Sequence, residues 1–190
     1  DRAGQAMAGA GVATLYASIF AARSLYDLIP SWAAFLGMAL VTVLAGIIAI
    51  NRRDFTLARR RLELSLQRRR ADCETAYYLQ SVLSEQRDWA DAARVAADAG
   101  TCFEAQDASI LEELATVRAS LMTPERRARL IARRESQLAS DTRMRATSWF
   151  NAAAASFNLA RPTEARRFAE KVADDVFYGE RARSLLEKLK

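Results

Sequence analysis

The sequence predicts an all-α protein, with an N-terminal apolar helical hairpin followed by a solenoid of helix–turn–helix units. Three observations carry this. Residues 5–22 and 31–50 contain no charged side chain. From Asp54 onward the apolar residues recur at helical spacing, with no alternating strand pattern. Asp54-Phe55-Thr56-Leu57-Ala58 returns 34 residues later as Asp88-Trp89-Ala90-Asp91-Ala92, and more loosely as Arg161-Pro162-Thr163-Glu164-Ala165. That period is the length of one helix–turn–helix unit. Such a unit cannot bury its apolar face alone, so it stacks on neighbours and leaves a curved surface for another protein. The expected domains are residues 1–50, a transmembrane hairpin, and residues 51–190, the repeat domain.

At 1.5 Å per residue, residues 31–50 would span about 30 Å, one hydrocarbon core. Residues 5–22 are near the lower length limit for a span. Gly9, Gly11, Ala13 and Ala17 would let the two helices approach closely. Tyr26 and Trp32 fall at the turn, where interfacial aromatics are expected. Eight arginines follow Ile50 (Arg52, Arg53, Arg59, Arg60, Arg61, Arg68, Arg69 and Arg70) against Asp54 and Glu63. Arginines flanking an apolar segment mark its cytoplasmic end, so both ends of the hairpin would face the cytoplasm. The expected location is a bacterial inner membrane, with the repeat domain in the cytoplasm. The alternative is a cytoplasmic helical scaffold whose hairpin caps the solenoid. Two helices apolar on every face would then need partners all around them.

The net charge of +5 lies entirely beyond residue 50, and only Lys171, Lys188 and Lys190 of the 28 cationic residues are lysines. A GC-rich coding bias accounts for this better than selection for nucleic-acid binding. The arginine runs fit a membrane flank attracted to anionic lipid. They also fit a solvated helix face, as for Arg126, Arg127, Arg129, Arg133 and Arg134. They lack the interleaved aromatics of a stacking platform, which disfavours nucleic acid as a partner.

The chain has no histidine and two cysteines, Cys73 and Cys102. Lack of histidine removes the commonest general base, the usual triads and most zinc sites. The cysteines form neither a metal motif nor a redox CxxC pair, and read as small, partly buried helix residues. Glu112-Glu113 and Asp174-Asp175 are adjacent, so on a helix they point about 100° apart. No phosphate loop is present. The expectation is therefore no catalytic residue, no metal and no cofactor. The chain begins at Asp1 without a Met, as a processed or partial chain does.

Expected helices are 54–69, 73–86, 89–99, 104–121, 124–139, 142–159, 162–173 and 178–189. Gly100 reads as a helix C-cap. Thr123-Pro124 reads as an N-cap followed by Pro at the first helical position, and Asp141-Thr142 as another helix start.

The segments AYYLQSVLSEQRDWADAARVAADAG and SWFNAAAASFNLARPTEARRFAEKV resemble tetratricopeptide repeats. The family's large, small and turn-aromatic roles fall on Ala76, Leu79, Leu83, Trp89, Ala92, Ala96 and Ala99. In the last unit they fall on Trp149, Ala152, Ala153, Leu159, Ala165, Ala169 and Val172. DFTLARRRLELSL matches a second helix through Phe55, Ala58, Leu62 and Ser65. Its first helix would be roughly 40–53, with Ala45, Gly46 and Ala49 on the small positions. Residues 31–50 could therefore be a membrane span or end as a repeat helix. Residues 101–141 depart from the pattern, as a degenerate repeat pair or an inserted hairpin. The GAG-x-A-x-LY, LYxLIP and FLGMALVT runs of residues 1–50 resemble part of an uncharacterised bacterial family of multi-pass membrane proteins.

The tetratricopeptide resemblance implies a protein partner in a concave groove lined by first helices. The matching residues are Tyr77, Ser81, Ser84 and Glu85, then Phe150, Asn151, Ala154, Phe157 and Asn158. Asn151 falls where carboxylate-clamping members use an asparagine, but the lysines of such a clamp have no counterpart here. Tyr77, Phe150 and Phe157 fit inter-repeat core as well as groove exposure. The function expected is a non-catalytic, membrane-tethered protein–protein interaction scaffold, with residues 5–50 meeting the membrane.

Overall fold

The computed structural model describes residues 31–69 and 72–190, with side chains from residue 41 onward. The apolar run at 5–22 and the turn around Tyr26 lie outside the described residues. Among those described are seven helices and no strand: α1 (Ser31–Asn51), α2 (Phe55–Arg68), α3 (Cys73–Glu85), α4 (Trp89–Ala119), α5 (Pro124–Asn158), α6 (Pro162–Glu170) and α7 (Gly179–Lys188). Residues 42–190 form a compact unit of their own.

One turn is used three times, to join α1 to α2, α3 to α4 and α5 to α6. In each, a non-glycine residue takes a positive φ: Arg53 at 57°, Arg87 at 58° and Ala160 at 55°. The next N–H then reaches back five residues: Asp54 to the Ala49 carbonyl at 2.9 Å, Asp88 to Leu83 at 2.9 Å and Arg161 to Ser156 at 3.0 Å. The left-handed residue reverses the chain, and the long-range bond satisfies a carbonyl left open at the helix end. Asp54 and Asp88 cap the following helix by accepting from the N–H groups of Leu57 and Asp91. Arg161 has no capping oxygen, and Pro162 opens α6 instead, supplying no N–H that would need a partner.

Four residues beyond each of these caps stands an alanine: Ala58, Ala92 or Ala165, each at most 1% exposed. A larger side chain there would hold the paired helices apart. Leu62, Leu79, Leu83, Ala96, Ala99, Trp149, Ala152, Ala153, Ala169 and Val172 are buried as well. They divide between two apolar clusters, one around α2–α4 and one around α5–α7.

The end of the second apolar stretch belongs to this packing. Ala49 is buried, and a Cβ on Gly46 would lie 2.9 Å from the Leu62 side chain. Residues 42–51 therefore pair with α2, while Val41, Leu44 and Ile48 on the same helix stay exposed. Among the described residues, no helix is long and apolar enough to cross a membrane.

Three sequence expectations need correction. Segments 89–99 and 104–121 are one helix, α4, and segments 124–139 and 142–159 are one helix, α5. Gly100 does not end a helix. It is buried within α4 because a Cβ there would stand 2.5 Å from the Trp149 ring. Asp141 does not start one either. It is buried inside α5 and accepts a 2.9 Å hydrogen bond from Gln106. The outer parts of α4 and α5 thus form an antiparallel arm. Phe103, Asp107, Ile110 and Leu114 bury one seam of α4 at spacings of four, three and four, the periodicity of a two-stranded coiled coil. Thr123-Pro124 opens α5 as expected.

Cys73 and Cys102 are not independent residues. They form a disulfide, with Cα atoms 5.5 Å apart, which ties the start of α3 to α4 at the root of the arm. Spacing alone did not reveal the pair, because their proximity depends on α4 running on past Gly100.

Candidate groove between the fifth and last helices

The last turns of α5 and one largely exposed face of α7 flank an open cleft of about 570 Å³. Phe150, Ala154, Phe157 and Asn158 form one wall, and Glu180, Arg181, Ser184, Leu185 and Lys188 the other. α7 is placed by local chemistry. The Asp175 carboxylate accepts from the N–H groups of Phe177 and Tyr178, at 2.8 and 3.0 Å, and so holds the turn that opens the helix. Gly179 then passes so close to Ala173 that a Cβ would lie 2.7 Å from its carbonyl oxygen. Tyr178 stacks on Phe150 with centroids 5.1 Å apart and its phenol oxygen accepts a 3.1 Å hydrogen bond from the Thr147 hydroxyl.

The groove residues expected from sequence separate into two groups. Phe150, Phe157 and Asn158 meet at the cleft, together with Ala154. Phe157 is 41% exposed, while Phe150 is half-buried under Tyr178. Asn151 is half-buried on the same helix and is not among the cleft-lining residues. Tyr77, Ser81, Ser84 and Glu85 lie on α3, outside the cleft. Tyr77 packs edge-on against Tyr78 and Phe103, and burial raises its phenol pKa above the ordinary value. Ser81 and Ser84 donate to the carbonyls of Tyr77 and Gln80 in their own helix. Asn158, which is exposed, likewise donates through its side-chain amide to the Ala154 carbonyl. Glu85 is exposed.

The helix at 178–189 was expected from sequence, but not its place as a wall of the cleft. Ala182, Leu185 and Leu186 recur at three- and one-residue steps as the stripe that packs on the α5–α7 cluster, and of these only Leu185 also lines the cleft. The α3 and α5 helices are joined beside the groove by a buried hydrogen bond from Gln80 to Ser148, 3.1 Å long. Arg59, part of the basic run after Ile50, is engaged in ion pairs. It reaches Glu63 and Asp88 at 2.8 Å and Asp91 at 3.1 Å, and its pKa is raised by Glu63 and Asp88. No group of His, Cys, Asp and Glu able to hold a metal occurs among the described residues.

A protein all-helical among its described residues, with two uncharged runs in its N-terminal sequence, is thus the class that fold and sequence define. Residues 1–58 match the model of a family described as predicted membrane protein (DUF2339). The match takes in the apolar region and runs through the first turn to Ala58, so it overlaps the α1–α2 pair instead of stopping before it. No curated protein matches the chain.

Proposed function

We propose that this chain is a non-catalytic protein–protein interaction scaffold. It is tethered to the membrane through its apolar N-terminal region and captures its partner in a tetratricopeptide-like groove. The observation that carries the reading is the cleft itself, lined by the exposed Phe157 with apolar Ala154 and Leu185 and by polar Asn158, Arg181 and Lys188. The recurring turn with its buried alanine supports the repeat assignment. The family match over residues 1–58 supports the tether. A photo-crosslinking amino acid at Phe157 in the full chain should trap a protein partner, and Asn158→Ala should reduce the yield severalfold. The same group at exposed Ala90 should trap nothing in common with it. Identical products from positions 157 and 90 would discard the groove.

A second reading concerns the side of the membrane on which the helical domain lies. The arginines after Ile50 favour the cytoplasm. The Cys73–Cys102 disulfide favours an oxidising compartment, where such bonds persist. Thiol trapping in intact cells separates the two. Full protection of both cysteines from a maleimide until reduction supports the oxidising side, and immediate labelling supports the cytoplasm.

A further inference from the structure

The α4–α5 arm leaves the body at Phe103 and Ala146, and none of its outer residues joins either apolar cluster. Along its shaft the charges are matched. Arg134 pairs with Glu113 at 2.6 Å and Arg118 with Glu135 at 2.9 Å. At the tip the matching stops. Residues 119–133 contain four arginines and one acid, Glu125. Arg127 is engaged structurally, donating to the Met122 carbonyl across the turn. Arg126, Arg129 and Arg133 form no ion pair among the described residues and are exposed. Their spacing of three and four puts them on one face of α5, with Leu130 between them. Leu121, at the turn, is 105% exposed, the most exposed large apolar side chain among the described residues. A depression of about 520 Å³ lies alongside, lined by Thr123, Glu125, Arg126, Arg129 and Leu130.

A fully exposed leucine beside an unneutralised arginine stripe matches the boundary of a charged bilayer, where apolar atoms enter the interface and cations meet phosphate. A nucleic-acid backbone would use the arginines but not the leucine, and the stripe has no aromatic residue to stack on bases. The resemblance of residues 1–58 to a predicted membrane protein family supplies the surface. We propose that the arm tip docks on an anionic lipid surface, with Arg126, Arg129 and Arg133 against headgroup phosphates and Leu121 in the apolar interface. This inference rests on membrane association and not on the groove.

The test holds the full chain in phosphatidylcholine nanodiscs, so that its apolar region is occupied. The discs are then mixed with sedimenting vesicles of phosphatidylcholine alone or with phosphatidylglycerol. Wild type should sediment with the anionic vesicles only. Arg126→Gln, Arg129→Gln and Arg133→Gln together should lower binding on the order of a hundredfold, since each cation near such a surface contributes about fivefold. Leu121→Asp, with every arginine retained, should also lose most of it. All four positions are exposed, so the helices keep their packing. A parallel variant, Arg60→Gln with Arg61→Gln and Arg68→Gln on α2, should keep most of the binding. The proposal is overturned if the tip variant or Leu121→Asp sediments like wild type. It is equally overturned if the α2 variant loses as much as the tip variant, or if duplex DNA at matched charge displaces the vesicles.

Discussion

The paired-helix body and the arm share the two long helices, α4 and α5, but hold together differently. In the body, alanines buried at helix crossings bring backbones close, and one aromatic assembly fills the remaining space. Trp149 stacks on Phe168 at 5.6 Å, lies under Lys171 and donates to Glu104. In the arm, the seam includes two buried carboxylates, Asp107 and Asp141, held by Arg145 and Gln106 across the helix pair. Small apolar residues make the body intolerant of added volume. Buried acids make the arm sensitive to pH. One chain segment thus changes its packing chemistry on either side of Gly100.

That contrast can be broken most severely at the junction. Gly100→Leu would drive a side chain into the Trp149 ring, which cannot retreat because Phe168 stacks behind it, and should cost about 3 kcal/mol or more. Within the body, Ala92→Leu and Ala165→Leu should each cost about 1–3 kcal/mol by overpacking. Ala90→Leu, one helix face away and exposed, should be nearly neutral. Thermal melts of the four variants in one detergent rank them. Equal tolerance at Ala90, Ala92 and Ala165 would remove the distinction between body and surface.

The smaller effect belongs to the arm. Burial raises the Asp141 carboxyl above its ordinary value, and the charges of Asp107 and Glu74 add to this. The folded state then holds that proton more tightly than the unfolded state. Stability should therefore rise as pH falls from neutral towards the ordinary carboxylate range. Asp141→Asn should flatten that rise and melt higher than wild type at neutral pH. A melting profile from pH 7 to pH 4.5 that is the same in both proteins would contradict it. Asp107 has the same direction of shift, again led by burial, but Arg145 opposes it.

The helical class and the three turns were legible because their signals are local. A turn, a cap (Asp54 or Asp88, with Arg161-Pro162 in the third) and an alanine four residues on lie within one short segment, and they read the same in isolation as in the fold. A hairpin within residues 101–141 was one of two alternatives legible in the sequence, but its continuity with the body helices was not, because those signals are contextual. Gly100 carries the mark of a helix end, yet what it accommodates is an indole ring 49 positions away in the chain. Asp141-Thr142 resembles a helix start until Gln106 is brought opposite it. The disulfide was hidden for the same reason: Cys73 and Cys102 are neighbours only when α4 continues unbroken. At the cleft, the repeat resemblance named Phe150, Phe157 and Asn158, and the helix at 178–189 was expected, but nothing local in the sequence set that helix opposite them.

The continuity of α5 also makes it a ruler. Its N-terminal turns carry Arg126 to Arg133, and its C-terminal turns carry Phe150 to Asn158, with no break in its hydrogen bonding between them. From Arg133 to Phe150 the axis advances about 26 Å, and the angle between the two faces is fixed by helical phase. Whatever occupies the two ends is held at one distance and one azimuth, as by a rigid bivalent linker. Removing seven residues between them would shorten the spacing by about 10 Å and nearly preserve the phase, whereas removing two would turn one end about 160° away from the other.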